Sequence, residues 1–229
     1  MLTRTAIAPI NAKELSRRLP RPGQDINTIM GAVELMGVRM SYARNEEVFG
    51  QGEAAEYIYK VVSGAVRICK ILDDGRRQVI AFHMPGEIFG LEVEEDHRFS
   101  AEAITDAVIL VVKRSTVLAL AARDGHIANQ LWALTTQDLQ RVQNHMLVLG
   151  CMNAKQKVAT FLLQMAKRRC TSDEIELPMP RQDIADYLGL TIETVSRTMT
   201  QLENAAAIGM TTSRRIVLRD RAALVQLNA

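Results

Sequence analysis

Residues 181–204, RQDIADYLGLTIETVSRTMTQLEN, constrain this 229-residue chain more than any other stretch. Ile184, Ala185 and Leu188 share one face of a short helix running from Asp183 to Leu188. Gly189 follows, where a tight turn between two helices needs a positive φ. Thr191 then supplies an N-cap, and Val195, Met199 and Leu202, at i, i+4 and i+7, form the inward face of a second helix. The pattern predicts a helix-turn-helix, and the outward face of its second helix carries Ile192, Glu193, Ser196 and Arg197.

Those residue types suit base edges in a major groove. Arginine donates bidentately to guanine, glutamate accepts from cytosine N4, and serine or a small apolar side chain fits A·T pairs and the thymine methyl. The bland alternative is a surface ion pair between Glu193 and Arg197, which are i, i+4 neighbours. Downstream, Gly209 opens a predicted hairpin whose tip carries Ser213, Arg214 and Arg215 and whose returning strand is Ile216 to Leu218. Basic hairpin tips neutralise phosphates without reading sequence. Thr191 and Thr194 at the helix start, with Arg214 and Arg215, are therefore the expected contacts to a DNA backbone.

Charge is distributed in the same sense. Residues 1–152 hold 17 Lys and Arg against 18 Asp and Glu, whereas residues 153–229 hold 11 against 8. The small positive excess thus sits at the end with the helix-turn-helix.

Upstream the periodicity differs. From residue 41 to about 115, short β-branched runs alternate with turn signals at Gly50–Gly52, Ser63–Gly64, Asp73–Gly75 and Pro85–Gly86, which predicts a β-barrel or jelly roll. Residues 25–40 have helical spacing, and residues 1–24, with Pro9, Pro20 and Pro22, read as an extended arm. Residues 124–150 lack proline and internal glycine and carry Ile127, Leu131, Leu134, Val142, Met146 and Leu149 as an apolar stripe interrupted by Asp138. A helix placed after a closed barrel with such a seam is expected to be a dimer interface, the alternative being packing against its own domain. A further amphipathic helix spans 154–169, and DEIELPMP reads as a polar loop. The expected domains are an arm (1–24), a β-roll (25–123), a dimerisation helix (124–152) and a winged helix-turn-helix (153–229) in an α+β chain.

Several function classes are excluded. Three cysteines, with no C-x-x-C, cannot form a disulfide framework or a four-cysteine metal site within the chain. The four histidines include no H-x-H or HExxH pair, so a cupin-type metal enzyme is a poor fit and no metal ligand set is expected. Aromatic residues, at 4%, are too few for a single-strand stacking platform. No apolar run exceeds six residues, Ala107 to Val112 being one, and no signal-peptide core is visible, so a cytoplasmic protein without a membrane partner is expected.

The order β-roll, long helix, helix-turn-helix, wing resembles the CRP/FNR family of bacterial transcription regulators over about residues 25–225. DIADYLGLTIETVSRTMTQLE is its most specific part. Glu193, Ser196 and Arg197, with the apolar Ile192 before them, are similar to the FixK-like branch. That resemblance implies a homodimer on double-stranded DNA, a palindrome of TTGA-type half-sites, activation through contact with RNA polymerase, and a role in low-oxygen or nitrogen-metabolism gene control.

It also frames the question of an effector. A cyclic-nucleotide pocket of the family uses a G-E-L turn and an Arg-Ser pair. Here Gly90 is followed by Leu91–Glu92, and Phe99–Ser100 stands where Arg-Ser is expected, with Arg98 one residue off register. An oxygen-labile cluster needs N-terminal cysteines, and residues 1–68 contain none. The expectation is a regulator without cofactor; the alternative is one gated by haem, nitric oxide or another effector, with His83 as a ligand candidate. Cys170, beside Lys167, Arg168 and Arg169, is a possible redox site because nearby cations lower a thiol pKa.

Overall fold

The computed structural model describes residues 28–92, 94–169 and 174–227. The expected arm 1–24 and Cys170 lie outside the described residues. Helix α1 (Ile29–Met36) starts at Thr28, whose side chain accepts from the Gly31 amide. The spacing predicted helix to residue 40. Instead Val38–Tyr42 is strand β1, because its backbone pairs along its whole length with Ala107–Lys113, strand β8. Pairing over five residues outweighs weak local helical spacing.

Strands β2 (Glu47–Phe49), β3 (Tyr57–Ser63), β4 (Val66–Ile71), β5 (Arg77–His83), β6 (Ile88–Phe89) and β7 (Ser100–Ala103) complete the roll with β1 and β8. They form two antiparallel four-stranded sheets, ordered β1-β8-β3-β6 and β2-β7-β4-β5. The β3–β4 turn needs Gly64: its φ is +81°, and a Cβ there would stand 2.4 Å from the Asp106 carbonyl oxygen.

Three apolar clusters arise from this arrangement. The first fills the roll with Tyr42, Val48, Phe49, Tyr59, Val66, Ile68, Phe89 and Ile109. The second lies outside the β1-β8-β3-β6 sheet, where α1, α2 (Arg114–Arg123) and the start of α3 (Gly125–Cys151) cover Ile58, Ile88, Leu110 and Val112. The third lies outside the other sheet, where Cys69, Val79, Phe82 and Met84 pack with the C-terminal residues Phe161, Leu162, Ile184 and Leu188. Strand β4 therefore buries both faces, Val66 and Ile68 inward and Arg67 and Cys69 towards the C-terminal part.

That C-terminal part comprises α4 (Ala154–Arg169), β9 (Glu174–Glu176), α5 (Arg181–Leu188), α6 (Ile192–Asn204), β10 (Ile208–Met210), β11 (Arg215–Leu218) and α7 (Arg221–Gln226). The stretch read as a polar loop is in part a strand. Ile175 and Leu177 are buried, and β9 pairs with β11 to make a three-stranded sheet, β10-β11-β9. Two acidic residues around one isoleucine hide a strand whose single apolar side chain is enough to anchor it.

Candidate nucleic-acid interface

Helix α5 ends at Gly189, which adopts φ 61° and ψ 42°, the left-handed cap that lets the chain turn within a few residues. Thr191 sits in extended backbone and accepts from the Thr194 amide at 3.2 Å, capping α6. The two threonine hydroxyls also lie 3.0 Å apart, so both expected phosphate contacts are first of all engaged with each other. Val195, Met199 and Leu202 are fully buried, and Thr198 joins them. The opposite face, Ile192, Glu193, Ser196 and Arg197, is exposed.

Electrostatics on that face are simple. Hydrogen bonds from its own backbone N–H and from the Thr191 hydroxyl hold the Glu193 carboxyl below the usual carboxylate range, with a smaller contribution from Arg197. Among the described residues the Arg197 guanidinium has no hydrogen-bond or ion-pair partner. The side chain that best suits guanine is thus left available. The surface ion pair is limited to this weak attraction.

The wing tip is Thr211–Arg214, closed by Thr212, whose hydroxyl accepts from the amides of Arg214 (3.3 Å) and Arg215 (3.0 Å). Arg215 is not at the tip itself. It begins β11 opposite Glu176, while Arg214 sits half-buried beside it. A third cation was not foreseen. Arg181, the first residue of α5, keeps Nη1 buried with no partner among the described residues, and its Nη2 contacts the Met210 sulfur at 3.6 Å. Burial depresses its pKa. Its place directly after Pro180, at the start of the first helix, was the only available signal.

The expected seam on α3 divides in two. Ile127 is 3% exposed, and Leu131 and Leu134 are half-buried beside it in the cluster over the roll. These three pack against their own domain. Trp132 (75% exposed) and Leu139 (56%), with Val142 and Met146, stand in solvent on the helix. With half-buried Leu149, positions 139, 142, 146 and 149 follow the 3–4 spacing of a coiled-coil seam, and Trp132 stands two turns before them. Asp138 interrupts the other face, not this one: it accepts from Arg141 at 2.9 Å, on the side facing Glu87.

The reading helices are tied to the roll. Arg67 donates through Nη1 to Asp183 (2.9 Å) and through Nε and Nη2 to Glu102. Arg77 donates to Asp183 and, through Nε (2.9 Å) and Nη2 (2.8 Å), to Asp186. Gln78 donates to the Asp186 carbonyl oxygen. Tyr187 stacks on His145 with ring centroids 3.9 Å apart and leans on Phe82.

Inside the roll, the polar groups considered for an effector are turned outward, bonded to the backbone or enclosed among rings; His83 Nδ1, Glu92 Oε2 and both His97 ring nitrogens are buried with no hydrogen-bond partner among the described residues. Arg98 pairs with Glu94 on the surface. The Ser100 hydroxyl accepts from the Gln51 amide. His97, 2% exposed, stacks on Phe49 at 3.6 Å with Glu92 3.4 Å from its Nδ1. His83 stacks on Phe89, and burial pushes its pKa down to about 4. Burial likewise pushes the Cys69 thiol up to about 11, which makes it unreactive. Among the described residues no group of three or more His, Cys, Asp or Glu could hold a metal ion, and no helix is long and apolar enough to cross a membrane.

Comparison with known proteins converges on both halves. The family model of the Crp-like helix-turn-helix domain matches residues 156–227, and that of the cyclic nucleotide-binding domain matches residues 39–124. The nitrogen fixation regulation protein FixK of Azorhizobium caulinodans is 50% identical over 202 residues, covering 86% of this chain and 82% of the relative. The FixK protein of Rhizobium meliloti is 40% identical over 200 residues, covering 86% of this chain and 92% of its own. Among solved structures, FixK2 from Bradyrhizobium japonicum superposes with a TM-score of 0.82 at 49% identity, covering 84% of this chain and 98% of that one.

Proposed function

Since the chain belongs to the CRP/FNR family of transcription regulators, in its FixK-like branch, we propose that it acts as a homodimer reading a palindrome of TTGA-type half-sites without an effector. The observation that carries this reading is the exposed face of α6, where Arg197 is unpaired and Glu193 is held ionised beside it. Arg197 takes the guanine of each half-site bidentately, Glu193 accepts from cytosine, and Ile192 and Ser196 line the A·T positions. Arg214 at the wing tip, with Arg215, Thr191 and Thr194, binds the backbone and sets the register.

A second copy joins along Trp132, Leu139, Val142, Met146 and Leu149. A contiguous apolar row of this length is costly to leave in water, and a parallel partner places two reading helices one DNA turn apart, about 34–36 Å. Independence from cyclic nucleotide is supported by the ring-filled roll and by Arg98, turned outward onto Glu94. That its FixK relatives are nitrogen fixation regulation proteins supports a role in nitrogen-fixation control, where the protein activates transcription by contact with RNA polymerase.

Selection of sites from random DNA by the purified protein, in air and with no additive, tests the reading. The expected product is an inverted repeat with one fixed spacing. Recovery of no enriched sequence without an added ligand would overturn the effector-free reading.

A further inference from the structure

Asp183 lies on the first helix of the reading pair, its side chain 0% exposed, yet among the described residues none of its side-chain partners belongs to that domain. They are Arg67 and Arg77, from adjacent strands β4 and β5 of the roll, 116 and 106 residues away in the chain. Each guanidinium is held on a second carboxylate, Arg67 on Glu102 and Arg77 on Asp186. The contact is therefore a closed group of two cations and three anions, with forked donors and planar acceptors. Such pairs contribute little net stability because desolvation offsets their attraction, but they tolerate few geometries.

The apolar contact around them, Cys69, Val79 and Phe82 against Ile184 and Leu188, behaves differently. It supplies adhesion and can slide, since the hydrophobic effect has no direction. The group also leaves the reading surface free. Ile192, Glu193, Ser196 and Arg197 stay exposed while α5 is docked. A contact that blocked DNA binding would cover them.

We propose that Arg67, Arg77, Asp183 and Asp186 are positioning residues that fix each reading head on its roll, in the orientation from which both heads of a dimer meet one palindrome. They perform by ion pairing the task that an effector would otherwise perform. This rests on the effector-free DNA reading above. Binding of the second head is then intramolecular, and its effective concentration depends on how narrowly the head is held. With the lock loosened, each head still reads a half-site, but the pair no longer selects the distance between them.

The experiment uses the full-length protein, as wild type and as Arg77→Gln, on three DNAs. One is the selected palindrome, one has a base pair added between the half-sites, and one has a single intact half-site. The added pair turns one groove by about a tenth of a turn. Wild type is expected to lose about tenfold or more in affinity on the respaced DNA. Arg77→Gln is expected to bind the palindrome about tenfold more weakly, to lose less than about threefold on respacing, and to bind the half-site as wild type does. Should Arg77→Gln prove too unstable to assay, Asp186→Asn and Gln78→Ala leave both guanidiniums on Asp183 and carry the same comparison with smaller shifts.

Unchanged spacing dependence in the variants would overturn the proposal. So would tighter palindrome binding, which would make the contact a restraint. A uniform loss that includes the half-site would assign these residues to general folding and overturn it as well. Failure of wild type to bind any of the three DNAs would instead overturn the reading on which the proposal rests.

Discussion

The roll and the reading head differ in what they do with their polar groups. In the roll, Ser100 and Arg98 are engaged by neighbours, and five rings run from His83 through Phe89, Tyr59 and Phe49 to His97, enclosing polar atoms that water does not reach. In the head, Arg197 is unpaired on an exposed face and Arg181 keeps a nitrogen without a partner. Both halves match domains associated with binding, and both keep polar atoms without a partner among the described residues; those of the roll, His83 Nδ1, Glu92 Oε2 and both His97 ring nitrogens, are buried among its own rings, whereas Arg197 stands in solvent. Accessibility, and not the want of a partner alone, thus separates a group that a ligand can reach from one that it cannot.

The largest test concerns the helix that joins both regions. Leu139→Glu with Met146→Glu places two carboxylates per chain in the proposed seam, where unpaired burial costs several kcal/mol. Sedimentation should show a monomer, and palindrome affinity should fall more than about 100-fold, by at least about 2.7 kcal/mol. Ile127→Ala, on the other face, should lower the melting temperature and leave association intact. The reverse pattern would return the interface to the face that packs on the roll.

The closed state of the roll is tested by acid. His83 is buried with its pKa pushed down to about 4, below an unfolded value near 6.5. The folded state keeps the ring neutral while the unfolded chain takes up a proton. Stability is therefore complete above pH 6.5 and falls as the pH drops towards 4, by up to about 3 kcal/mol from this group. His145, also depressed by burial, adds to the same window. Urea titrations at pH 7 and 4.5 should give a smaller difference for His83→Gln than for wild type. Equal differences would mean that His83 titrates normally and that water reaches it.

The head is tested by Arg197→Ala. Loss of a bidentate guanine contact should remove about 1–3 kcal/mol of discrimination at one position of each half-site. Arg214→Ala should weaken all sequences alike and reduce the salt slope by about two units, about one for each chain of the dimer. An unchanged sequence preference in Arg197→Ala would move base reading elsewhere on α6.

The smallest effect sharpens the contrast most. Millimolar cyclic AMP should shift the melting temperature by less than about 1 °C, since a ligand that does not bind the folded state cannot stabilise it. A rise of several degrees, or a gain in DNA affinity, would show that the roll still opens to a ligand.

Much of this was legible from local patterns. Gly189 between two short apolar stripes located the turn, and the long helix, expected over 124–150, spans Gly125–Cys151. The exposed face of α6 followed from the buried spacing of Val195, Met199 and Leu202. Other features were not legible because local patterns do not report partners. Apolar residues surround much of α3, so periodicity alone did not separate the face on the roll from the face in solvent. Strand β9 carries one buried isoleucine and is defined by its pairing with β11. Arg181 became notable only when Met210, far along the chain, was found against it.

The sequence by itself determined the elements and the chemistry they present: where helices break and cap, which strands alternate, and which side chains stand on the reading face. These depend on interactions within a few residues, where spacing maps directly onto geometry. Only the tertiary structure decided which side of α3 is covered, that the roll is filled by its own rings, and that Asp183 is held by arginines 116 and 106 residues away. Those outcomes depend on what a side chain meets once distant segments have packed, and spacing along the chain carries no record of that.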